Sequence, residues 1–173
     1  MNVILIGPRG SGKSTLARLI ASALWRQAVD MDELVLARFD ETTVADVWKN
    51  RGESAWRAAE IEVMREVLAG DEQVIAAGGG APTIEAIQTM LAEAREAGRA
   101  KVVYLQCDPG VLRERLSRDG GDRPSLTGGD PIAEIEQVVA TRDDLYRRAA
   151  DVTLDVTQLS PREAADYLMR THF

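Results

Sequence analysis

The nine residues GPRGSGKST, Gly7 to Thr15, restrict the fold of this chain more than any other stretch. They match the spacing G-x-x-x-x-G-K-[ST] through Gly7, Gly12, Lys13 and Ser14. Glycines there let backbone N–H groups turn inward around phosphate oxygens, Lys13 adds a point charge, and the Ser14 hydroxyl suits Mg²⁺. The candidate nucleotide-binding residues are therefore Gly10, Ser11, Gly12, Lys13, Ser14 and Thr15. Such a loop works between a buried strand and a helix. Asn2–Ile6 is a continuous apolar run bounded by glycine and reads as that strand, and a helix is expected from about Lys13 to Leu24.

The rest of the chain repeats the alternation. Further strands are expected at 28–30, 73–77, 101–106 and 151–156. Residues 31–69 read as mostly helical with breaks near Asp40 and Gly52, and helices are expected over 83–97, after Pro109, over 132–149 and from Pro161 with Ser160 as N-cap. Residues 118–131, glycine-rich and polar, read as a mobile loop. Alternating strands and helices predict an α/β architecture, a five-stranded parallel sheet with helices on both faces. A length of 173 residues suits one domain spanning 1–173.

Composition narrows the function. A net charge of −7 argues against general nucleic-acid or anionic-membrane binding, so an anionic ligand must be held by locally placed cations. The single cysteine, Cys107, cannot form an internal disulfide, which favours the cytoplasm. The single histidine, His172, argues against a histidine triad or a multi-histidine metal site. The apolar opening is short and lacks a basic flank, unlike a signal peptide, and no run approaches a membrane span.

The phosphate loop points to a nucleoside triphosphate, chiefly ATP. The third strand ends VIAAGGG without the carboxylate common in motor ATPases, and no Asn-Lys pair is present to read guanine. The nearest acids are Asp30 and Asp32, at the end of the second strand. They fit either metal-water support and hydroxyl orientation beside a Mg-nucleotide or a plain acidic helix start. In VWKNRGESAWR, Glu53, Arg57 and Glu60 share one helical face beside the apolar face of Trp56. Arg57 fits either a solvated salt bridge or a guanidinium held by two acids and presented to an anion.

Taken together these stretches resemble the shikimate kinases, in order and over nearly the whole chain. The resemblance rests on GPRGSGKST, the D-x-D of VDMDE, GESAWRAAE, the GGG after the third strand, the RP of the glycine-rich loop, and RDDLY. It implies a P-loop nucleoside kinase-like three-layer fold whose residues 31–69 bind the acceptor and whose residues 118–131 form a mobile lid. The implied reaction is ATP-dependent phosphorylation of the 3-hydroxyl of shikimate, with Mg²⁺ as cofactor. Arg57 and Arg142 are then expected to hold the shikimate carboxylate, Asp32 and Gly79 its hydroxyls, and Trp48 and Trp56 its ring. Asp30 would support Mg²⁺ beside Ser14, and Lys13, Asp32 and Arg123 would carry catalysis, with Arg123 reaching the nucleotide from the lid. The implied partners are ATP and shikimate only, with no nucleic acid or membrane, for a cytoplasmic monomer. Trp48 and Trp56 stand where phenylalanine is usual, and Ser125 where leucine is common. The rival readings are a gluconate or nucleoside monophosphate kinase-like enzyme, and a non-catalytic nucleotide-binding protein on the same fold.

Overall fold

A computed structural model describes residues 1–118 and 134–173. Among these, five strands form one wholly parallel sheet in the order β2-β3-β1-β4-β5: β1 Asn2–Ile6, β2 Gln27–Asp30, β3 Gln73–Ala76, β4 Ala100–Gln106 and β5 Val152–Asp155. The helices are α1 Lys13–Leu24, α2 Met31–Leu36, α3 Val44–Arg51, α4 Glu53–Ala69, α5 Glu85–Glu96, α6 Pro109–Arg118, α7 Ile135–Ala149 and α8 Pro161–Thr171. No described helix is long and apolar enough to cross a membrane.

Side-chain alternation along the central strands creates the three layers. Ile4 and Ile6 of β1, Ile75 of β3, and Val102 and Tyr104 of β4 enter one core, with Val47 of α3, Trp56 and Met64 of α4, and Leu91 of α5. Val3, Leu5, Val74, Val103 and Leu105 point the other way, onto Leu16 and Ile20 of α1, Leu112 of α6 and Leu168 of α8. Both faces of these central strands are buried, which is why they read as continuous apolar runs.

The breaks in 31–69 fall at 37–43 and at Gly52. Gly52, at φ 83°, is the single residue between α3 and α4, a backbone conformation that residues other than glycine rarely adopt. Thr43 starts α3 by accepting the N–H of Asp46 at 3.1 Å. Two helix starts differ from expectation: α7 begins at Ile135, after Glu134 as N-cap, and α5 begins late. Thr83, expected to start the helix, instead ends a 3-10 turn over Ala81–Thr83, and α5 begins at Glu85. The Gly80 carbonyl draws that turn closed by accepting both the N–H of Thr83 at 2.9 Å and its hydroxyl at 2.7 Å. Ser160 caps α8 as expected, in a reciprocal capping box with Glu163.

Candidate active site

The carboxyl ends of β1, β2 and β3 carry the phosphate loop, the two aspartates and the glycine triplet to one edge of the sheet, the position where open parallel sheets bind ligands. A cleft of about 580 Å³ lies there, lined by Gly10 to Thr15, Asp30 and Asp32. Gly12, at φ 91°, turns the loop into α1, so the loop's N–H groups and the positive end of the helix dipole face the same space. The Lys13 ammonium donates to the carbonyls of Gly7 at 3.0 Å and Pro8 at 2.9 Å. The Ser11 hydroxyl is buried with no hydrogen-bond partner, an orphan that a phosphate oxygen could satisfy. Asp30 caps α2 by accepting the Asp32 N–H at 3.0 Å. The helix-start reading of this acid pair therefore describes one of Asp30's bonds, while both carboxyl groups also line the cleft.

Sequence spacing did not single out the far end of this cleft. Arg115, Arg118, Ser160 and Pro161 line it, from α6 and α8. Arg115 ties distant segments together by donating to the carbonyls of Gly10 at 3.4 Å and Val156 at 3.3 Å. Those partners are 105 and 41 residues away, beyond any local pattern.

A second, smaller pocket of about 100 Å³ adjoins the first. Asp32, Trp48, Trp56, Arg57, Gly79 and Arg142 all line it, so the structure brings together every expected acceptor residue. Arg57 donates to Glu53 at 2.9 Å and to Glu60 at 2.7 Å. The Glu53 half matches the solvated salt bridge. The Glu60 half does not, because the Glu60 side chain is only 2% exposed. Burial works against the charge on Arg57, but Glu60 and then Glu53 more than offset it and hold the guanidinium above its ordinary pKa. Its carbon also lies 5.5 Å from the ring centre of Trp48. Trp56 is both core and wall: it is 3% exposed, stacks on Phe39 at 6.2 Å, and borders the pocket. The indole N–H of Trp48 is buried without a partner.

Of the three glycines after β3, Gly78 and Gly80 make room for neighbours and Gly79 touches the phosphate loop. A Cβ on Gly78 would lie 3.0 Å from an Asp32 oxygen and 2.5 Å from a Glu60 oxygen. One on Gly79 would lie 3.4 Å from the backbone nitrogen of Arg9. One on Gly80 would lie 2.9 Å from the guanidinium carbon of Arg57. Behind the triplet, the hydroxyl of Tyr146 donates to the Gly79 carbonyl at 2.6 Å, and Arg142 approaches the same oxygen at 3.4 Å. Tyr146 is fully buried and stacks on Tyr104 at 4.9 Å, whose hydroxyl donates to Asp143 at 2.8 Å. The fourth residue after Arg142 thus braces the same carbonyl that Arg142 approaches. Arg123, Ser125 and nearly all of the expected lid lie outside the described residues.

A phosphate loop beside a small pocket lined by two arginines and two tryptophans, on this sheet order, defines a P-loop small-molecule kinase. A family model for shikimate kinase matches residues 9–172. The shikimate kinase of Symbiobacterium thermophilum is 38% identical over 172 residues, covering 98% of this chain and 94% of the relative. A shikimate kinase from Acinetobacter baumannii, solved in complex with shikimate, superimposes with a TM-score of 0.88 at 30% identity, covering 98% of this chain and 90% of that one. A gluconokinase from Sinorhizobium meliloti, of a rival acceptor class, reaches a TM-score of 0.58 at 25% identity, covering 98% and 91%. The chain belongs to the shikimate kinase family, and it is an ATP-dependent kinase.

Proposed function

We propose that this protein transfers the terminal phosphoryl group of ATP to the 3-hydroxyl of shikimate, giving shikimate 3-phosphate and ADP in aromatic amino acid biosynthesis by way of chorismate. The observation that carries the reading is the acceptor pocket itself: two arginines and two tryptophans around a small space that meets the nucleotide cleft at Asp32. A compact cyclohexene carboxylate needs this combination of ring walls and paired cations. A nucleobase would need several polar side chains to read its edge.

In this reading Arg57 and Arg142 take the carboxylate, the tryptophans cover the ring, and Asp32 with Gly79 meets the hydroxyls. Asp32 orients the 3-hydroxyl and accepts its proton as the oxygen–phosphorus bond forms and the bond to ADP breaks. Lys13 and the loop N–H groups hold the phosphates, and Glu53 and Glu60 fix the guanidinium of Arg57. The Ser14 hydroxyl and the Asp30 carboxyl are hard oxygen donors on the cleft wall. They fit Mg²⁺, which binds through few protein groups together with phosphates and water. When bound, Mg²⁺ neutralises phosphate charge. Arg123 and the segment 118–131 serve as the closing lid, residues 31–69 as the acceptor-binding region, and the whole chain as one domain. The protein works as a cytoplasmic monomer without nucleic-acid or membrane partners.

A coupled ADP-release assay with shikimate, quinate, gluconate and AMP tests this. Shikimate should be turned over far faster than the other three. Faster turnover of gluconate or AMP would overturn the acceptor assignment.

A further inference from the structure

Three described residues border both cavities: Arg9, Asp32 and Leu116. Any group that passes from the nucleotide to the acceptor crosses this shared border. Leu116 brings no charge there, and Asp32 is an anion. Arg9 is the one cation among the three. The other cations divide by cavity. Lys13, Arg115 and Arg118 line only the nucleotide cleft, and Arg57 and Arg142 only the acceptor pocket.

We infer that Arg9 is a further catalytic residue, which binds the phosphoryl group in transit and keeps hold of it on the product. This inference rests on the phosphoryl-transfer reading above. Within the motif G-x-x-x-x-G-K-[ST] residue 9 is an unspecified position, so the motif itself assigns it nothing. The structure gives its backbone a fixed place. The Ser11 N–H donates to the Pro8 carbonyl at 3.3 Å, and Gly79 packs beside the Arg9 nitrogen, where an added Cβ would stand in contact at 3.4 Å. The phosphate loop and the glycine triplet therefore meet at Arg9. Its half-buried side chain starts from the point where the two substrates face each other.

The chemistry fits the place. In a loose phosphoryl-transfer transition state, charge spreads over three equatorial oxygens, and a planar guanidinium can donate to two of them at once. Shikimate before transfer has its anionic group at Arg57 and Arg142, away from the border. Shikimate 3-phosphate carries a second anionic group on the border. Arg9 should therefore distinguish product and transition state from substrate, which a merely structural wall residue would not do.

The test compares Arg9→Ala and Arg9→Lys with the wild-type protein by steady-state kinetics and by calorimetry with shikimate and with shikimate 3-phosphate. Loss of one preorganised donor predicts a fall in kcat of about 10²- to 10³-fold for Arg9→Ala. Affinity for shikimate should stay within about twofold while affinity for shikimate 3-phosphate falls at least about tenfold, and Arg9→Lys should recover part of both losses. A kcat within about threefold of wild type, or equal weakening of shikimate and its phosphate, would overturn the inference. A wild-type protein that binds ATP but does not phosphorylate shikimate would overturn the underlying reading instead, and the inference with it.

Discussion

Gly80→Ala should separate activity from stability. The backbone at Gly80, φ −95° and ψ −9°, is open to alanine, so the substitution strains no dihedral. The new methyl would stand 2.9 Å from the Arg57 guanidinium carbon, where ordinary contact needs about 3.5 Å or more, and it would crowd the nearer nitrogen further. That nitrogen makes the 2.7 Å bond to Glu60. The guanidinium is the free end of a flexible side chain, so it yields by about an ångström while the backbone stays in place. Two stability terms then oppose each other. The lost charge-assisted hydrogen bond to buried Glu60 costs about 1.5–3 kcal/mol, and the stiffer unfolded chain returns about 0.4–1 kcal/mol. Net stability should fall by only about 0.5–2.5 kcal/mol, which leaves the protein folded under assay conditions. Misplacement of a substrate-holding group by about 1 Å costs about 10²-fold, so kcat/KM for shikimate should fall by about that factor. ATP affinity measured without shikimate should not change, because Arg57 does not line the nucleotide cleft. The assays are a shikimate titration of ADP release and a thermal melt on the same preparation. An unchanged kcat/KM at an unchanged melting temperature would refute the idea that Arg57 must sit where Gly80 allows it.

Asp32→Asn should keep ATP binding and nearly abolish transfer; near-normal turnover would remove Asp32 from the role of proton acceptor. Arg142→Ala should weaken shikimate binding by about 2–5 kcal/mol, as for truncating one side of a buried charge pair, and calorimetry showing only a few tenths would contradict carboxylate capture. Shikimate should change tryptophan fluorescence through Trp48, and Trp48→Phe should remove much of that signal while activity persists. Its indole N–H has no partner to lose, and Trp25, 96% exposed, lines neither cavity. Unchanged emission at saturation would contradict the pocket-wall assignment. Burial first, then the Asp143 bond, holds the Tyr104 phenol above its ordinary pKa, and burial does the same for Tyr146. The folded state keeps protons that the unfolded state releases, so this stability is intact below about pH 10 and is lost as pH rises above it. Urea midpoints from pH 9 upward should fall less steeply in Tyr146→Phe than in wild type, and identical slopes would count against it.

What the sequence disclosed, it disclosed through local spacing. The phosphate loop is nine contiguous residues between a strand and a helix. Gly52 marks a helix joint, and Glu53, Arg57 and Glu60 share a face at helical intervals. Apolar runs mark β1, β3 and β4 to within a residue, because both faces of the central sheet are covered, whereas the edge strands β2 and β5 are partly exposed and show only a short pattern. What it hid is set by contacts far apart in the chain. GGG reads as a strand end, but Gly78 and Gly80 are needed because Glu60 and Arg57 press on them, and Gly79 is the point where the triplet touches the phosphate loop at Arg9. Tyr146 meets Gly79 from 67 residues away. Arg9 sits at an unspecified position of its motif, and only the shared border of two cavities sets it apart. The early boundary placed on α5 failed for a local reason: the Gly80 carbonyl captures Thr83 and closes a 3-10 turn first.

In the proposed reaction a phosphoryl group leaves ATP for one particular hydroxyl of shikimate. Incubation of the protein with ATP, Mg²⁺ and shikimate, followed by phosphorus–proton correlated NMR of the product, reads this directly. A single phosphate monoester coupled to the proton on carbon 3, with ADP formed in equal amount, is the predicted result. An ester on another carbon, or ADP and free phosphate without any shikimate ester, would contradict it.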